Sequence, residues 1–387
     1  MYKISTLNKI SPVGLERFTD LYEIEESDGS ISGATGVMVR SAAMHDMEFP
    51  ETLLAIARAG AGVNNIPLDR CADEGIVVFN TPGANANSVK ELVIGSIIMS
   101  ARNIDQAVSW VNTLKDDDSI EDLSKAVEKG KSKFAGHEIS GKTLGVLGLG
   151  AIGAMVANSA IGLGMKVVGY DPYLTDAARE RLLFDVQVVE TPEEVCAQSD
   201  FLTLHIPAMD STAGMINKEL LSHFKDGAIL LNFSRDKLVV EKDILDAIST
   251  GKLAKYVTDF ATDGLFGVPE VTIMPHLGAS TEEAEDNCAM MAADELMAFI
   301  EKGEIRNSVN YPAISMDLDV PTRVVILTKD EPHPDKLISA MFANKEIDAV
   351  VSATRGAYGC AIMGTRDEIT EVPDVEQVLR VRVITED

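Results

Sequence analysis

The sequence predicts an α/β protein built on parallel sheets flanked by helices, with a smaller α/β module at its C-terminal end. Three observations carry this. Short apolar runs alternate with amphipathic segments over most of the chain, the pattern of buried parallel strands joined by crossover helices. A glycine-punctuated turn at 148–153 lies between one such run and a helix-length segment. After Arg306-Asn-Ser-Val-Asn-Tyr-Pro312 the composition changes, and residues 318–387 carry a strand and helix order of their own.

The elements follow in order. GVMVR (36–40), LLAIARAG (53–60) and IVVFN (76–80) read as strands or strand ends, and KELVIGSIIMS keeps an apolar face that predicts a helix from Ser88 to about Ser100. Residues 114–133 are the most charged stretch up to that point and read as a solvated helix or connector. From Gly141, TLGVLGLG and MKVVGYDPY flank a helix. SDFLTLHIP (199–207), GAILLNFSR (227–235) and KLAKYVTDF (252–260) continue as strands, spaced by helices such as EKDILDAIST. A helix over about 281–302 opens with the capping pattern Ser280-Thr-Glu-Glu. The tail reads strand (RVVILT), helix (HPDKLISAMFAN), strand (AVVSATR), strand (GCAIMGT), helix (VPDVEQVLR) and strand (VRVIT), a βαββαβ module.

Composition narrows the function. The chain has 387 residues, long enough for two or three domains, and 46% of them are apolar against 25% charged, an ordinary globular balance. With 34 Lys and Arg against 61 Asp and Glu the net charge is −27, which argues against a nucleic-acid partner. A local cationic pocket for a small anion remains compatible with it. Cys71, Cys196, Cys288 and Cys360 are scattered without metal-ligand spacing, so neither a zinc site nor a disulfide framework is expected, and a reducing compartment fits. The N-terminal residues lack the apolar core of a leader. Leu144–Met165 runs 22 residues without a charge, but its six glycines read as a strand and a helix rather than a membrane span. A soluble, cytoplasmic protein with no membrane partner is the expectation.

Gly148-Leu-Gly150-Ala-Ile-Gly153 is a GxGxxG at the junction of strand and helix, and the next strand ends in Asp171, 18 residues past the third glycine. Such glycines let a pyrophosphate approach a helix N-terminus, where the N–H groups are unpaired. A carboxylate at Asp171 accepts from both adenosine ribose hydroxyls and repels a 2′-phosphate, so NAD is favoured over NADP. Arg235 and His276 both follow short strands, which puts them at the carboxyl ends where sheets of this class gather chemistry, and Asp263 lies between them in sequence. Removing hydride from a secondary alcohol requires a base near pH 7, which a neutral His276 supplies. A carboxylate fixes its tautomer, and Arg235 pairs with a substrate carboxylate and polarises the carbonyl oxygen. That chemistry calls for no metal.

These residues carry a resemblance. From Val39 to about Pro312 the chain resembles the D-isomer-specific 2-hydroxyacid dehydrogenases, on VRSA (39–42), ARAGAGVNNIPLD (57–69), GIVVFNTPGANANSVKELVIG (75–95), GLGAIG, GYDPY, NFSR and PHLGAST. Within that family it is most similar to the members that oxidise 3-phospho-D-glycerate to 3-phosphohydroxypyruvate for serine biosynthesis, and its tail looks like their regulatory ACT module. The resemblance implies a Rossmann-type NAD domain, 99–284, inserted into a flavodoxin-like substrate domain, 1–98 with 285–312, followed by an ACT-like domain at 318–387. It implies Arg235, Asp263 and His276 as the catalytic residues, in a cleft. It places Thr81, Gly148, Gly150, Ala151, Ile152, Gly153, Asp171, Ile206, Phe233, Ser234, Asp259, Gly278 and Ala279 around NAD. For the substrate it names Arg40, Ser41 and Arg58, the amides of Ala61, Gly62 and Val63, and again Arg235 and His276. A homodimer through the NAD domain, or a homotetramer, is the family habit.

Four positions depart from the family. Asp263 stands where Glu is usual, and Asp236 replaces the Gly after the catalytic Arg, a position at which Asp is tolerated should φ be positive. Asn64 replaces an Asp, and DEPHPDKL stands where effector-binding relatives carry Asn-x-Pro-Gly, which argues against a serine site in the tail. Two rival readings stand beside the phosphoglycerate one: another member of the family, such as a glyoxylate/hydroxypyruvate reductase or a D-lactate dehydrogenase, and a non-catalytic NAD-sensing protein. His205 and His223 are expected to be structural.

Overall fold

The computed structural model describes residues 1–27 and 29–385, and the chain forms two compact units, Met1–Asn85 with Thr281–Asp387, and Ala86–Ser280. The first unit opens with β1 (Tyr2–Leu7), α1 (Pro12–Leu15), β2 (Tyr22–Ser27), β3 (Gly36–Val39), β4 (Ala55–Arg58), α2 (Leu68–Asp73) and β5 (Val77–Asn80). The five strands make a parallel sheet in the order β2-β1-β3-β4-β5. Alternation along them feeds two cores: Met38, Ala57 and Phe79 pack on one face, Val39, Ile56 and Val78 on the other. Neither β1 nor β2 is anticipated by the apolar runs, because β2, Tyr-Glu-Ile-Glu-Glu-Ser, is a mostly exposed edge strand.

The second unit begins with α3 (Ala86–Ala101), α4 (Ile104–Thr113) and α5 (Leu123–Gly130), the last within the charged stretch read as solvated, where nearly every side chain is exposed or half-buried. The domain boundary expected at residue 98 falls inside α3. Then come β6 (Thr143–Leu147), α6 (Ala151–Gly162), β7 (Lys166–Tyr170), α7 (Asp176–Arg179), β8 (Val186–Val188), α8 (Pro192–Gln198), β9 (Phe201–Leu204), α9 (Lys218–Ser222), β10 (Ala228–Asn232), α10 (Glu241–Ser249), β11 (Leu253–Thr258) and β12 (Val271–Ile273). Their sheet is parallel, in the order β12-β11-β10-β9-β6-β7-β8. The strand order turns back at β6, which leaves a crevice at the carboxyl ends of β6 and β9. The uncharged stretch from Leu144 is β6, a glycine turn and α6, and among the described residues no helix is long and apolar enough to cross a membrane.

The chain returns to the first unit through α11 (Glu282–Lys302), whose N-cap is Thr281, one residue later than the capping pattern suggests; the Thr281 hydroxyl accepts the Ala284 N–H. β13 (Thr322–Lys329), α12 (Pro334–Met341), β14 (Ile347–Arg355), β15 (Tyr358–Thr365) and β16 (Val378–Thr385) follow, in an antiparallel sheet ordered β14-β15-β13-β16. One expected element is absent: VPDVEQVLR is no helix but a loop running into β16. Pairing with β13 draws Val378–Arg380 into the strand, and the few residues left after Pro373 are too short to nucleate a helix. Nor does the tail stand apart. Val325, Leu327, Cys360 and Ile362 share one core with Phe299, Tyr311 and the inner residues of the parallel sheet.

Candidate functional site

In the second unit the crevice begins at the glycine turn. Gly148 has φ +92, and a Cβ there would strike the main chain of His205; a Cβ at Gly153 would strike the Gly148 carbonyl. A Cβ at Gly150 meets nothing, because Gly150 is exposed and caps α6 without a side chain. Two glycines therefore serve packing, and the third leaves free space over an uncapped helix N-terminus, the requirement of a bound pyrophosphate. Asp171, at the end of β7, accepts the Leu149 and Tyr173 N–H groups at 2.9 Å each, so one oxygen is tied to the glycine turn itself. Ala151 is exposed beside it and Ile152 half-buried on α6.

Across the crevice, Ile206 and Ser234 are half-buried at the ends of β9 and β10. The Ser234 hydroxyl donates to the Leu204 carbonyl at 2.8 Å, tying the two strands, and Phe233 turns its ring into the core with Leu231 and Val146. Phe233 thus offers a ligand its main chain, not its side chain. His205 is held neutral: burial pushes its pKa down to about 3, its Nε2 faces the Thr203 hydroxyl at 3.1 Å and its Nδ1 has no partner.

The polar centre of this unit is Asp259, just past β11 and 2% exposed. Its Oδ2 accepts the Gly278 N–H at 3.1 Å, its main-chain carbonyl accepts the His276 N–H at 3.1 Å, and its Oδ1 has no partner. Burial raises the Asp259 pKa, and the bond from Gly278 with the charges of His276 and Arg235 pulls it back. The Gly278 carbonyl accepts the Ser88 hydroxyl, so both polar groups of that residue are spent on packing, with Ala279 half-buried next to it. The His276 ring is exposed and lies 4.8 Å from that of Phe260. Both belong to a recess of about 570 Å³ also lined by Asp236, Asp259, Leu277 and Ser280.

Here the structure departs from expectation. Asp263 is exposed at the start of a short turn, and among the described residues no hydrogen bond or ion pair joins it to His276. The acidic residue bonded to the His276 segment is Asp259, through its main-chain carbonyl, which accepts the His276 N–H. Asp236 lies in a helical turn without positive φ, so it carries no backbone strain. Arg235 is half-buried, with Nη1 donating to the Ser234 carbonyl at 2.6 Å, and the Arg235 carbonyl is held by Asn232 Nδ2 at 2.8 Å.

In the first unit two arginines end adjacent strands. Arg58 Nε donates to the Arg40 carbonyl at 3.1 Å, and its guanidinium lies over Gly60, whose φ of +151 and missing Cβ admit it. Arg40 Nη2 pairs with Glu285 Oε1 at 2.7 Å. The Ser41 and Ala42 N–H groups both donate to Asn8 Oδ1, and Asn8 itself has φ 74. The 61–63 loop is anchored from one side by Asn80 Nδ2, which donates to the Ala61 carbonyl at 2.6 Å, and Thr81 N–H donates to the Gly60 carbonyl at 3.2 Å. Thr81 is fully buried beside Cys288, whose thiol pKa is raised by burial and drawn back by the Thr81 hydroxyl and the charges of Arg58 and Arg40. Sequence reasoning missed Asn8, Asn80 and Glu285. An asparagine at the end of each of two apolar strands was the available signal, since Asn tolerates positive φ and holds backbone groups.

Residues 94–278 match the family model described as D-isomer specific 2-hydroxyacid dehydrogenase, NAD binding domain. A D-3-phosphoglycerate dehydrogenase of Mycobacterium leprae is 30% identical over 397 residues, covering 92% of this chain and 72% of that protein. The chain belongs to the D-isomer-specific 2-hydroxyacid dehydrogenase family. Its NAD-binding domain is the stretch that carries the glycine turn, Asp171, Arg235, Asp259 and His276. The enzyme of the same name from Methanocaldococcus jannaschii is 32% identical over 335 residues, 82% of this chain and 61% of the other, so the chain spans about three fifths of the length of that relative. Among solved structures, NAD-bound 3-phosphoglycerate dehydrogenase of Entamoeba histolytica is 28% identical with a TM-score of 0.62, covering 80% of this chain and 98% of that one. A glyoxylate reductase from Paecilomyes thermophila, 24% identical at a TM-score of 0.66 over 80% of this chain and 98% of that one, shares the fold.

Within this family frame, the donor set fits the dinucleotide. The uncapped helix, the open space at Gly150 and the unpartnered, buried Asp259 Oδ1 are three groups that a pyrophosphate and an amide donor would satisfy.

Proposed function

We propose that this protein oxidises 3-phospho-D-glycerate to 3-phosphohydroxypyruvate with NAD, the entry step of serine biosynthesis. The observation that carries the reading is the Arg58–Arg40 contact: two guanidinium-bearing residues locked to each other at the ends of β3 and β4, charge enough for a phosphate dianion as well as a carboxylate. NAD, when bound, supplies the hydride acceptor. In the second unit the glycine turn, Ala151, Ile152 and Asp171 would hold its phosphates and ribose, with Ile206, Ser234, Gly278, Ala279 and the Phe233 main chain beside it; in the first unit Thr81 would be its contact. His276 takes the proton of the substrate hydroxyl, and Asp259 and Arg235 keep its surroundings polarised. In the second unit Arg235 would pair with a substrate carboxylate; in the first unit the amides of Ala61, Gly62 and Val63 cradle a carboxylate, and Arg40, Ser41 and Arg58 hold the phosphate.

The same reading extends to assembly and location. The 318–387 sheet is an ACT-like module that has lost its second helix, in a flavodoxin-like lobe joined to a Rossmann-type domain. Ile104, Val108 and Val111 are exposed at helical spacing on α4, an apolar stripe that fits a homodimer, and the cytoplasm fits the scattered, unpaired cysteines. One observation favours a second reading: the Arg40–Glu285 pair occupies an arginine that a phosphate would need, which suits a smaller, unphosphorylated acid such as glyoxylate or hydroxypyruvate. The deciding experiment is NADH oxidation with 3-phosphohydroxypyruvate, glyoxylate and hydroxypyruvate side by side. Preference for the phosphorylated acid is expected; preference for either other acid selects the second reading, and no turnover with NADH still bound overturns both.

A further inference from the structure

The inference rests on the reading just given, in which the 61–63 loop cradles the substrate carboxylate. Glu295 sits in the middle of α11, 4% exposed, with one oxygen accepting Asn307 Nδ2 at 2.7 Å and the other without a partner. A carboxyl group inside a helix packed on a sheet costs free energy unless something is gained by keeping it. What it holds is Asn307, a residue in the left-handed region (φ 47) that would be free to re-orient without that bond. The Asn307 carbonyl accepts the Asn80 N–H at 3.4 Å, and the next residues finish the seam: Val309 N–H donates to the Val78 carbonyl, and Asn310 brackets Val78 and Ile76 with its side-chain amide. The segment 307–310 thus closes the outer edge of β5. Asn80, fixed by that closure, reaches with Nδ2 to the Ala61 carbonyl at 2.6 Å.

We propose that Glu295 is a positioning residue for the anion-binding loop, acting through Asn307 and Asn80 on Ala61. Every residue of this path belongs to the first unit, so the relay is expected to act on the acid's affinity and not on the cofactor's. Hydrogen bonds in series transmit orientation; here the relay starts at buried Glu295, passes half-buried Asn80 and includes the exposed Asn307 and Ala61. Glu295→Met keeps the volume and removes the acceptor; Glu295→Gln keeps an acceptor oxygen for Asn307 and cannot ionise.

The test compares steady-state kinetics of the full-length wild type, Glu295→Met, Glu295→Gln and Asn80→Ala, using 3-phosphohydroxypyruvate and, in parallel, hydroxypyruvate. The expected result is a KM for the keto acid raised at least about fivefold in Glu295→Met and in Asn80→Ala, with kcat and the KM for NADH within twofold of wild type, and return toward wild type in Glu295→Gln. A folded Glu295→Met whose keto-acid KM stays within twofold overturns the relay, as does a variant that moves the KM for NADH equally, the mark of general loosening. Should Glu295→Met fail to fold, Asn80→Ala decides from the far end: an unchanged keto-acid KM there overturns the proposal. A wild type that reduces hydroxypyruvate but not the phosphorylated acid sinks the phosphoglycerate reading alone, since the relay is then scored on hydroxypyruvate. A wild type that reduces neither overturns both.

Discussion

Arg382 Nη2 donates to the Ile300 carbonyl at 2.6 Å, and Nη1 of the same side chain donates to the Phe299 carbonyl at 2.8 Å. A guanidinium on β16 thereby satisfies the Ile300 carbonyl in the last turn of α11 and gives the Phe299 carbonyl, which already accepts the Gly303 N–H, a second donor, where cations also meet the negative end of the helix dipole. Arg380 does the same for the Leu53 and Glu74 carbonyls, and Arg323 for Leu318. The antiparallel sheet is fastened to the parallel one by buried charge as well as by the shared apolar core. Burial lowers the Arg382 pKa to about 10, so it stays charged at neutral pH. Arg382→Met is expected to cost roughly 2–4 kcal/mol, because the Ile300 carbonyl is left unpaired and the Phe299 carbonyl loses its charged donor. Guanidinium unfolding of the two proteins checks this, and an unchanged midpoint would show the fastening to be ornamental.

How much of this was legible beforehand follows from where each signal sits. β3–β5, β6, β7 and β9–β11 announce themselves because parallel strands buried on both faces are continuous apolar runs, and α3, α6 and α11 because glycine or a hydroxyl marks their ends. β2 was invisible, since an edge strand such as Tyr22–Ser27 needs no apolar pattern. The false helix at 372–380 shows the opposite fault: local propensity favours it, and pairing across the sheet overrides it. At the site, glycine spacing and Asp171 are local and readable. The main-chain link of His276 to Asp259, where the sequence pointed to Asp263, is not, because β11 and the segment after β12 meet only through the sheet register.

That link separates two acidic residues four positions apart. Asp259→Asn keeps the shape and the acceptor for Gly278 but removes the charge beside His276, and a fall in kcat of roughly 10²–10³-fold is expected, in the range of a disturbed general base. Asp263→Asn should stay within about threefold of wild type by the same scale. Turnover of purified variants at saturating NADH measures both. The reverse order, with Asp263 the costlier loss, would restore Asp263 as the partner of the histidine.

His205 should resist protonation in the folded state. His205 excludes its proton in the folded state, with a pKa near 3 set by burial, below the ordinary value of 6.5. Between those values the unfolded chain binds a proton the native one refuses, so this residue costs stability as pH falls from 6.5 toward 3, and contributes nothing to pH dependence above 7. Ring-proton NMR checks it directly. A His205 resonance that titrates near pH 6.5 would mean the imidazole is in water.

Two arginines at one strand end make a charge-dependent prediction. Arg58→Ala is expected to raise the KM for 3-phosphohydroxypyruvate by roughly 10²-fold while changing that for hydroxypyruvate about tenfold less, since a charge-assisted pair is worth about 1.5–3 kcal/mol and only one acid carries the phosphate. Glu285→Gln, by removing the carboxylate 2.7 Å from Arg40, is expected to lower the KM for the phosphorylated acid. Equal effects of Arg58→Ala on the two acids would take the phosphate away from this cluster.

Glu295 carries a stability signature that can be read without any substrate. Burial lifts its pKa from 4.5 to about 8, and the bond from Asn307 only partly offsets that; the facing charge on its own helix is Asp294, held in an ion pair by Arg17 after α1. The native state keeps a proton on Glu295 that the unfolded chain has already lost, so the penalty is absent below pH 4.5, grows as pH rises, and is complete above about 8. Gln cannot ionise and escapes it. Glu295→Gln should therefore match the wild type in unfolding free energy near pH 4.5 and exceed it at pH 9 by an amount on the order of a few kcal/mol. Urea unfolding at the two pH values measures the difference, and a gap that does not widen with pH would place Glu295 in contact with solvent or with a cation that holds it ionised.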